Sequence, residues 1–200
     1  MIIINCEQGS PEWYEARIGL PTASNFDKLI TSKGEPSKQS QAYLYQLAGE
    51  RIAGAKIETY QSAAMQRGIE LEAEARSLFE MLKDTEVHQV GLCLDDSRLY
   101  GCSPDGLLES EGLEIKCPLI HTHVAYLLDG KLPADYRRQV QGSLLVTGLE
   151  RWNFMSYYPG LPPLLVRVER DETFIGKLRS ILKSFTLELD EITEKLRGMI

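Results

Sequence analysis

The segment from Ser103 to Lys116 combines residue types that can do metal and acid–base chemistry. Asp105 stands near its start, and Glu114-Ile115-Lys116 closes it. Residues two apart on a strand share a face, so Glu114 and Lys116 are expected on one side and Ile115 on the other. Carboxylates at close range resist joint ionisation. A hard divalent cation such as Mg²⁺ or Mn²⁺ removes that conflict by taking their oxygens as ligands.

The same segment has an ordinary structural interpretation. Ser-Pro-Asp-Gly at 103–106 fits a β-turn with Pro in the second position and Gly in the fourth. Glu-x-Lys on a strand is also common on a solvated face. The stretch between Gly106 and Gly112 predicts a hairpin, which would bring Asp105 across to the face of Glu114 and Lys116. These residues alone leave both interpretations open.

A further carboxylate, Glu72, lies in a stretch whose apolar residues recur with helical spacing over 62–83. It follows Gly68 by one turn and therefore lies on or beside the apolar face. A carboxylate is unusual there, because an unpaired buried charge is costly. Either Glu72 is held there for a function, or it reaches solvent or pairs with Arg76 four residues later. The periodicity does not decide between them.

Local patterns predict the elements that position these residues. Ser10-Pro11-Glu12 has the features of a helix start. The predicted helices are one from Ser10 that ends before Gly19, and 22–30, 40–53, 62–83, 121–128, 133–147 and 171–197. The predicted strands are 2–5, 87–94, 99–102, the two hairpin strands, 152–158 and 164–168. This order predicts an α/β fold, with a central mixed sheet flanked by helices, in one domain over residues 1–200.

Bulk properties narrow the class of protein. No apolar stretch is long enough to span a membrane, and the N-terminus lacks the basic region and cleavage site of a signal peptide. The four cysteines lack zinc-ligand spacing, so we expect reduced thiols in a cytoplasmic protein. The net charge of −7 counts against a broadly basic nucleic-acid binder. It is compatible with an enzyme whose acidic site is offset by metal ions and whose basic residues are gathered locally.

Four separated stretches carry motifs in a definite order. They are Glu12-Trp-Tyr-x-x-Arg17-x-Gly19 with Thr22-Ala-Ser24, Gly68-Ile-Glu-Leu-Glu72, Ser103-Pro-Asp-Gly106 with Leu113-Glu-Ile-Lys-Cys-Pro118, and Tyr136-x-x-Gln139-Val-Gln141. Together they resemble the phage lambda exonuclease group, the YqaJ-like viral recombinases, within the PD-(D/E)xK nuclease superfamily. Any one motif recurs by chance, whereas four in order across most of the chain are specific. The resemblance implies a PD-(D/E)xK, restriction-endonuclease-like core.

The resemblance also implies roles for the carboxylates and the lysine described above. Asp105, Glu114 and the backbone carbonyl of Ile115 would bind divalent metal. Glu72 would complete the acidic cluster, directly or through water. Lys116 would orient the attacking water or help to deprotonate it.

Further residues are implied to position the substrate and the water. Gln139 would help to place the nucleophilic water, while Tyr136 and Ser103 would line the site. A pocket for a 5′-phosphate is implied for Arg17, Thr22 and Ser24. A helix start at Thr22 would favour an anion, and an arginine can hold phosphate oxygens in a bidentate fork.

The chain departs from the family pattern shortly after Pro118. Close relatives carry an additional arginine near the phosphate pocket, where this chain has Leu119-Ile-His-Thr-His123. His121 or His123 would have to replace it, or the contact is lost. We expect both histidines to be surface or helix-start residues without such a role.

The implied activity is hydrolysis of a DNA phosphodiester with two Mg²⁺ (or Mn²⁺) ions per active site. The resemblance implies double-stranded DNA ends as substrate, 5′→3′ polarity, mononucleotide products and a long 3′ overhang. It also implies a ring-shaped homotrimer around the duplex and a single-strand annealing protein as partner. Such a protein would be encoded by a phage or prophage and act in the cytoplasm of a bacterial host.

Three alternatives remain. A single-strand exonuclease with an iron–sulfur cluster would need three cysteines after the lysine of the Glu-x-Lys motif, and no cysteine follows Cys117. A PD-(D/E)xK endonuclease of restriction type would cut closed circular DNA. A non-catalytic DNA-end-binding or scaffold protein could keep the fold, although it would not need to retain all of Asp105, Glu114 and Lys116.

Overall fold

The strands divide between two sheets. The structure is a computed structural model that describes residues 1–56 and 63–200. An antiparallel three-stranded sheet contains, in spatial order, β1 (Ile2–Ile4), β2 (Leu92–Leu94) and β3 (Gly101–Cys102). A four-stranded sheet contains, also in spatial order, β4 (Gly106–Leu107), β5 (Glu111–Lys116), β6 (Arg151–Ser156) and β7 (Leu164–Glu169). In this mixed sheet β5 and β6 are parallel, and the other neighbours are antiparallel.

Six α-helices and one short 3₁₀ helix accompany the sheets in the described residues. They are α1 (Pro11–Glu15), the 3₁₀ helix Ala23–Lys28, α2 (Ser40–Ala53), α3 (Ala63–Lys83), α4 (Ile120–Asp129), α5 (Arg137–Thr147) and α6 (Glu172–Arg197). The predicted α/β class with a mixed sheet and helices is therefore confirmed. None of the helices in the described ranges is long and apolar enough to cross a membrane.

Helix starts that the sequence predicted are capped as expected. The Ser10 hydroxyl accepts from the Trp13 N–H at 3.2 Å, and the Asp171 carboxylate accepts from the Phe174 N–H at 3.0 Å. Helix α2 has the predicted bounds and ends at Gly54, whose φ of +63° suits glycine. The predicted start of α3 at Ser62 lies outside the described residues.

Three predicted elements differ in the structure. The helix predicted over 22–30 is a six-residue 3₁₀ helix, and the helix predicted from 133 begins only at Arg137, after a turn closed by Tyr136 N–H and Pro133 O. The strand predicted over 87–94 is also divided. His88 bridges to Leu107 of the mixed sheet, whereas Leu92–Leu94 joins the other sheet. The segment 87–94 therefore crosses from one sheet to the other.

Strand β5 is the structural centre of the mixed sheet. It pairs with β4 on one side and β6 on the other, and α3 packs on it through Ala75 and Phe79. Gly112 of β5 has no side chain because the Trp152 ring occupies that space. A Cβ there would lie 2.3 Å from the indole. A strand held on three sides is a rigid support for side chains that must keep their geometry.

Candidate active site

The hairpin of β4 and β5 brings Asp105 onto β5, as the sequence predicted. Gly106 is opposite Leu113 in the register, and the Asp105 N–H donates to the Leu113 carbonyl at 3.1 Å. The Asp105 carboxylate turns back and accepts from the Ile115 N–H at 2.6 Å. The carboxylate of Asp105 therefore lies beside the backbone between Glu114 and Lys116.

Glu114 and Lys116 share one face of β5, and Ile115 points into the core on the other. Glu114 is only 1 % exposed, and the Lys116 ammonium donates to its Oε1. The Gln139 amide on α5 donates to the same oxygen at 2.6 Å. The Tyr136 ring lies 5.5 Å from the Lys116 Nζ. Residues from the third and fourth motifs thus meet at one carboxylate.

Glu72 both pairs with Arg76 and lines the cavity at this cluster. The cavity has a volume of about 310 Å³ and is also lined by Asp105, Lys116 and Tyr136. Arg76 donates through Nη2 to the Glu72 carboxylate and through Nε to the Asp105 carbonyl at 3.1 Å. The i+4 spacing predicted the first contact. No sequence signal predicted the second, which ties α3 to the turn that carries Asp105.

The carboxylates of this cluster hold their protons unusually tightly. Burial, followed by repulsion from Asp105, raises the pKa of Glu72 to about 7. Burial also raises the pKa of Glu114 to about 7 and raises the pKa of Asp105. Burial opposes the charge of Lys116, but the attraction of Glu114 and Asp105 outweighs it and raises the pKa of the ammonium. Burial therefore makes full ionisation of all three carboxylates unfavourable at neutral pH.

The residues of this cluster fit a hard divalent cation. Glu114 Oε2 is buried and has no hydrogen-bond partner among the residues that the structure describes. The other candidate ligands are carboxylate and carbonyl oxygens. Within residues 1–56 and 63–200, no three His, Cys, Asp or Glu side chains already form a complete ligand set. Asp105, Glu114 and Glu72 each accept a hydrogen bond from the protein. Those bonds hold the carboxylates near one another.

The residues predicted to bind a 5′-phosphate also meet. Arg17 is 7 % exposed and donates to Ser103 Oγ at 2.8 Å and to Thr22 Oγ1 at 3.3 Å. The hydroxyls of Thr22 and Ser24 are 3.4 Å apart. Trp13 donates its indole N–H to Ser103 Oγ at 2.9 Å. These residues form a second polar cluster, which Ser103 joins to the cluster around Asp105.

The helix predicted to start at Thr22 is present, but its predicted extent to residue 30 is wrong. The helix after it is a 3₁₀ helix of six residues, and the Thr22 side chain does not cap it. The Thr22 N–H is already directed at the Tyr43 hydroxyl, at 3.4 Å. Side chains therefore provide most of the polar contacts recorded here. Tyr43 comes from α2 and had no signal in the motif spacing.

The expectation for His123 is also wrong, while His121 is exposed as expected. His123 is 0 % exposed, and its ring nitrogens lie 2.8 Å from Ser156 Oγ and 3.1 Å from the Pro162 carbonyl. Both nitrogens are therefore engaged in joining α4 to β6 and to the segment that follows it. His123 does not replace the arginine of relatives.

Comparison with known proteins agrees with this geometry. The model of the YqaJ-like viral recombinase domain matches residues 12–150. An alkaline exonuclease from Laribacter hongkongensis, LHK-Exo, is 33 % identical, with 95 % of this chain and 97 % of that chain covered and a TM-score of 0.86. The complex of LHK-Exo with dAMP gives 32 % identity, the same coverage and a TM-score of 0.84.

A phage-related exonuclease from Haemophilus somnus 129PT is 14 % identical over 88 % of this chain and 96 % of that chain, with a TM-score of 0.68. It shows likeness of fold alone. No curated protein sequence matches the chain. The fold and the family place the chain in a class of enzyme, the deoxyribonucleases, and among them the exonucleases. The chain belongs to the YqaJ-like viral recombinase family.

The raised carboxylate pKa values predict how stability depends on pH without metal. The unfolded chain loses these protons near pH 4.5, and the folded chain retains them at Glu72 and Glu114 to about pH 7. The folded state therefore binds more protons in this window, and the free energy of unfolding should fall as pH rises from 5 to 8. Denaturant unfolding at both pH values, in chelator, measures this.

Two controls accompany that measurement. Glu72→Gln should flatten the decrease, because it removes one of the groups that titrate. Mg²⁺ should restore stability at pH 8 in the unmodified protein by binding the folded state. A free energy of unfolding that stays level or rises between pH 5 and 8 would contradict the assigned pKa shifts.

Proposed function

We propose that this deoxyribonuclease is a divalent-metal-dependent exonuclease that digests one strand of double-stranded DNA from an end, in the 5′→3′ direction. Its products are mononucleotides and a long 3′ overhang, the substrate for single-strand annealing in phage-type recombination. One observation carries the proposal: Ser103 Oγ accepts from Arg17 at 2.8 Å, and Asp105 follows two residues later. Two residues span at most about 7 Å of chain, so a phosphate bound at Arg17 lies close to the acidic cluster.

The acidic cluster is the proposed metal site. Asp105, Glu114 and the carbonyl of Ile115 hold the ions, and Glu72 completes the set directly or through water. Two Mg²⁺ (or Mn²⁺) ions, when bound, supply charge stabilisation for the attacking and leaving oxygens of an in-line displacement. Arg76 keeps Glu72 beside Asp105 through the contacts that it makes with both.

Lys116 and Gln139 are proposed to act on the attacking water. Burial lowers the pKa of Lys116, but the attraction of Glu114 and Asp105 outweighs burial and raises it. The side chain therefore stays an ammonium at neutral pH. It therefore acts as a fixed cation that orients the water and offsets developing negative charge. The Gln139 amide N–H₂ is directed at Glu114, which leaves its carbonyl oxygen to accept from the water. Tyr136 closes this side of the site.

The second polar cluster is proposed to select the end of the strand. Arg17, Thr22, Ser24 and Ser103 bind the terminal 5′-phosphate, with the guanidinium fork on two of its oxygens. The scissile phosphodiester then lies one nucleotide away, at the metals. This arrangement explains release of single nucleotides, because the pocket fixes the distance from the end to the cut.

The assembly is proposed to be a ring-shaped homotrimer of single nuclease domains, each spanning residues 1–200. A ring that encloses the duplex holds DNA with fewer ionic contacts, which suits a chain with a net charge of −7. The partner is a single-strand annealing protein, and both act in the cytoplasm of the bacterial host of a phage or prophage. The alternatives are a PD-(D/E)xK endonuclease and a non-catalytic end-binding protein. The following experiment distinguishes both from an exonuclease.

Linear and circular DNA distinguish these functions. Linear duplexes should be digested to mononucleotides with Mg²⁺ and left intact with chelator, because the carboxylates need the cation. Covalently closed circles should remain intact with Mg²⁺, because they offer no end to the phosphate pocket. Product analysis of strands labelled at the 5′ or 3′ end gives the polarity. Cleavage of circles, or digestion in chelator, would overturn the proposal.

Replacing the ammonium at the site should separate chemistry from binding. Lys116→Ala should lower the single-turnover cleavage rate about 10²-fold or more, because it removes a fixed charge at the reacting phosphate. Affinity for a 5′-phosphorylated duplex, measured in chelator, should stay within about threefold. Lys195→Ala, on the last turn of α6, is the matched control. Equal losses of cleavage and binding would make Lys116 a structural residue.

Removing the guanidinium should affect one kind of end. Arg17→Ala should slow digestion of 5′-phosphorylated duplex about tenfold more than that of 5′-hydroxyl duplex, because the terminal phosphate is the only part of the substrate that the fork is proposed to contact. Arg17→Lys keeps a charge and most of the buried volume but lacks the fork, so its discrimination should be intermediate. Initial rates on the two substrates measure this. Equal slowing on both would remove the assignment of the pocket.

A further inference from the structure

A narrow cavity beside Arg17 has an excess of positive charge. Its lining includes Arg17, Thr22, Tyr43, Glu50 and Lys56, which come from four different parts of the chain. Lys56 follows the end of α2 and was not indicated by any sequence motif. Its place in the lining gives the cavity a second cation.

The two cations lie against the same aromatic ring. Arg17 Cζ is 4.2 Å from the centroid of the Trp13 ring, and Lys56 Nζ is 5.4 Å from it. Lys56 Nζ is also 5.4 Å from the Tyr14 ring. These contacts hold an ammonium close to a guanidinium, and like charges at such range repel. The aromatic faces reduce that repulsion only in part.

The acidic side chain in the cavity does not neutralise them. Glu50 is 1 % exposed, and its two oxygens accept from the Gly19 N–H at 3.0 Å and from Gln46 Nε2 at 2.9 Å. Over residues 1–56 and 63–200, Arg17 donates to hydroxyls and Lys56 faces aromatic rings, and neither forms an ion pair with a carboxylate. Burial and repulsion from Arg17 lower the pKa of Lys56, and the attraction of Glu50 only partly opposes them.

We propose that Lys56 is the second cation of the 5′-phosphate pocket and makes the enzyme prefer a terminal phosphomonoester. A monoester carries a charge of about −1.5 to −2 at neutral pH, more than one cation neutralises, whereas each internal phosphodiester carries one charge. Arg17 provides a directional fork and Lys56 a point charge. The inference rests on the proposed function of the pocket and adds a specificity-determining residue to it.

Binding without cleavage tests this proposal. A short duplex with either a 5′-phosphate or a 5′-hydroxyl end is titrated in chelator, with affinity followed by fluorescence anisotropy. Lys56→Gln should reduce the preference for the phosphorylated end about tenfold, because the amide keeps the length of the side chain and loses the charge. Lys56→Arg should restore most of the preference. Lys195→Gln is the matched control and should keep it in full.

The outcomes also separate this inference from the proposed function. If Arg17→Ala reduces the preference but Lys56→Gln does not, the pocket stands and Lys56 is not part of it. If Lys56→Gln weakens both duplexes equally, Lys56 is a general contact and the inference is overturned. If the unmodified enzyme itself shows no preference between the two ends, the proposed pocket fails, and the assignment of Lys56 fails with it.

Discussion

The burial of Glu114 in the middle of a sheet is the constraint on which the rest of this structure depends. A carboxylate on a central strand costs several kcal/mol unless it is paired and hydrogen-bonded. Lys116 and Gln139 donate to one of its oxygens, and the other oxygen has no hydrogen-bond partner in the described part of the chain. The fold therefore accepts a local cost at β5 and offsets it with apolar packing of α3 and β6 around the same strand. A protein that used this site only for stability would gain by replacing Glu114 with an apolar residue.

The turn from Ser103 to Asp105 couples the two halves of the site. Ser103 meets Arg17, which is 86 residues earlier in the chain, and Asp105 meets β5. Arg76 fixes the same turn from α3 through the Asp105 carbonyl. In the proposed function, this short connection fixes the spacing between end recognition and hydrolysis.

Positive charge is gathered locally around Arg17. The chain is acidic overall, with a net charge of −7. Three cations, Arg17, Lys28 and Lys56, nevertheless lie near one another. Burial lowers the pKa of Lys56, and repulsion from Arg17 and Lys28 lowers it further. Locally gathered cations can attract a phosphate without making the whole surface basic. A net charge of −7 is therefore compatible with binding a DNA end at this pocket. In the proposed function, the acidic cluster and the basic pocket are complementary parts of one site, one for cations and the other for a terminal phosphate.

The sequence by itself determined the α/β class, the family, the caps at Ser10 and Asp171, the bounds of α2 and the hairpin that carries Asp105 and Glu114. Each of these depends on contacts within a few turns, or on motifs whose spacing is fixed by local geometry. The tertiary structure alone decided that the 87–94 run divides between two sheets, that His123 is buried against Ser156, and that the Thr22 helix is a short 3₁₀ helix. It also decided that Lys56 lies beside Arg17. These features depend on how elements that are distant in the sequence pack together. Local sequence patterns do not predict that packing.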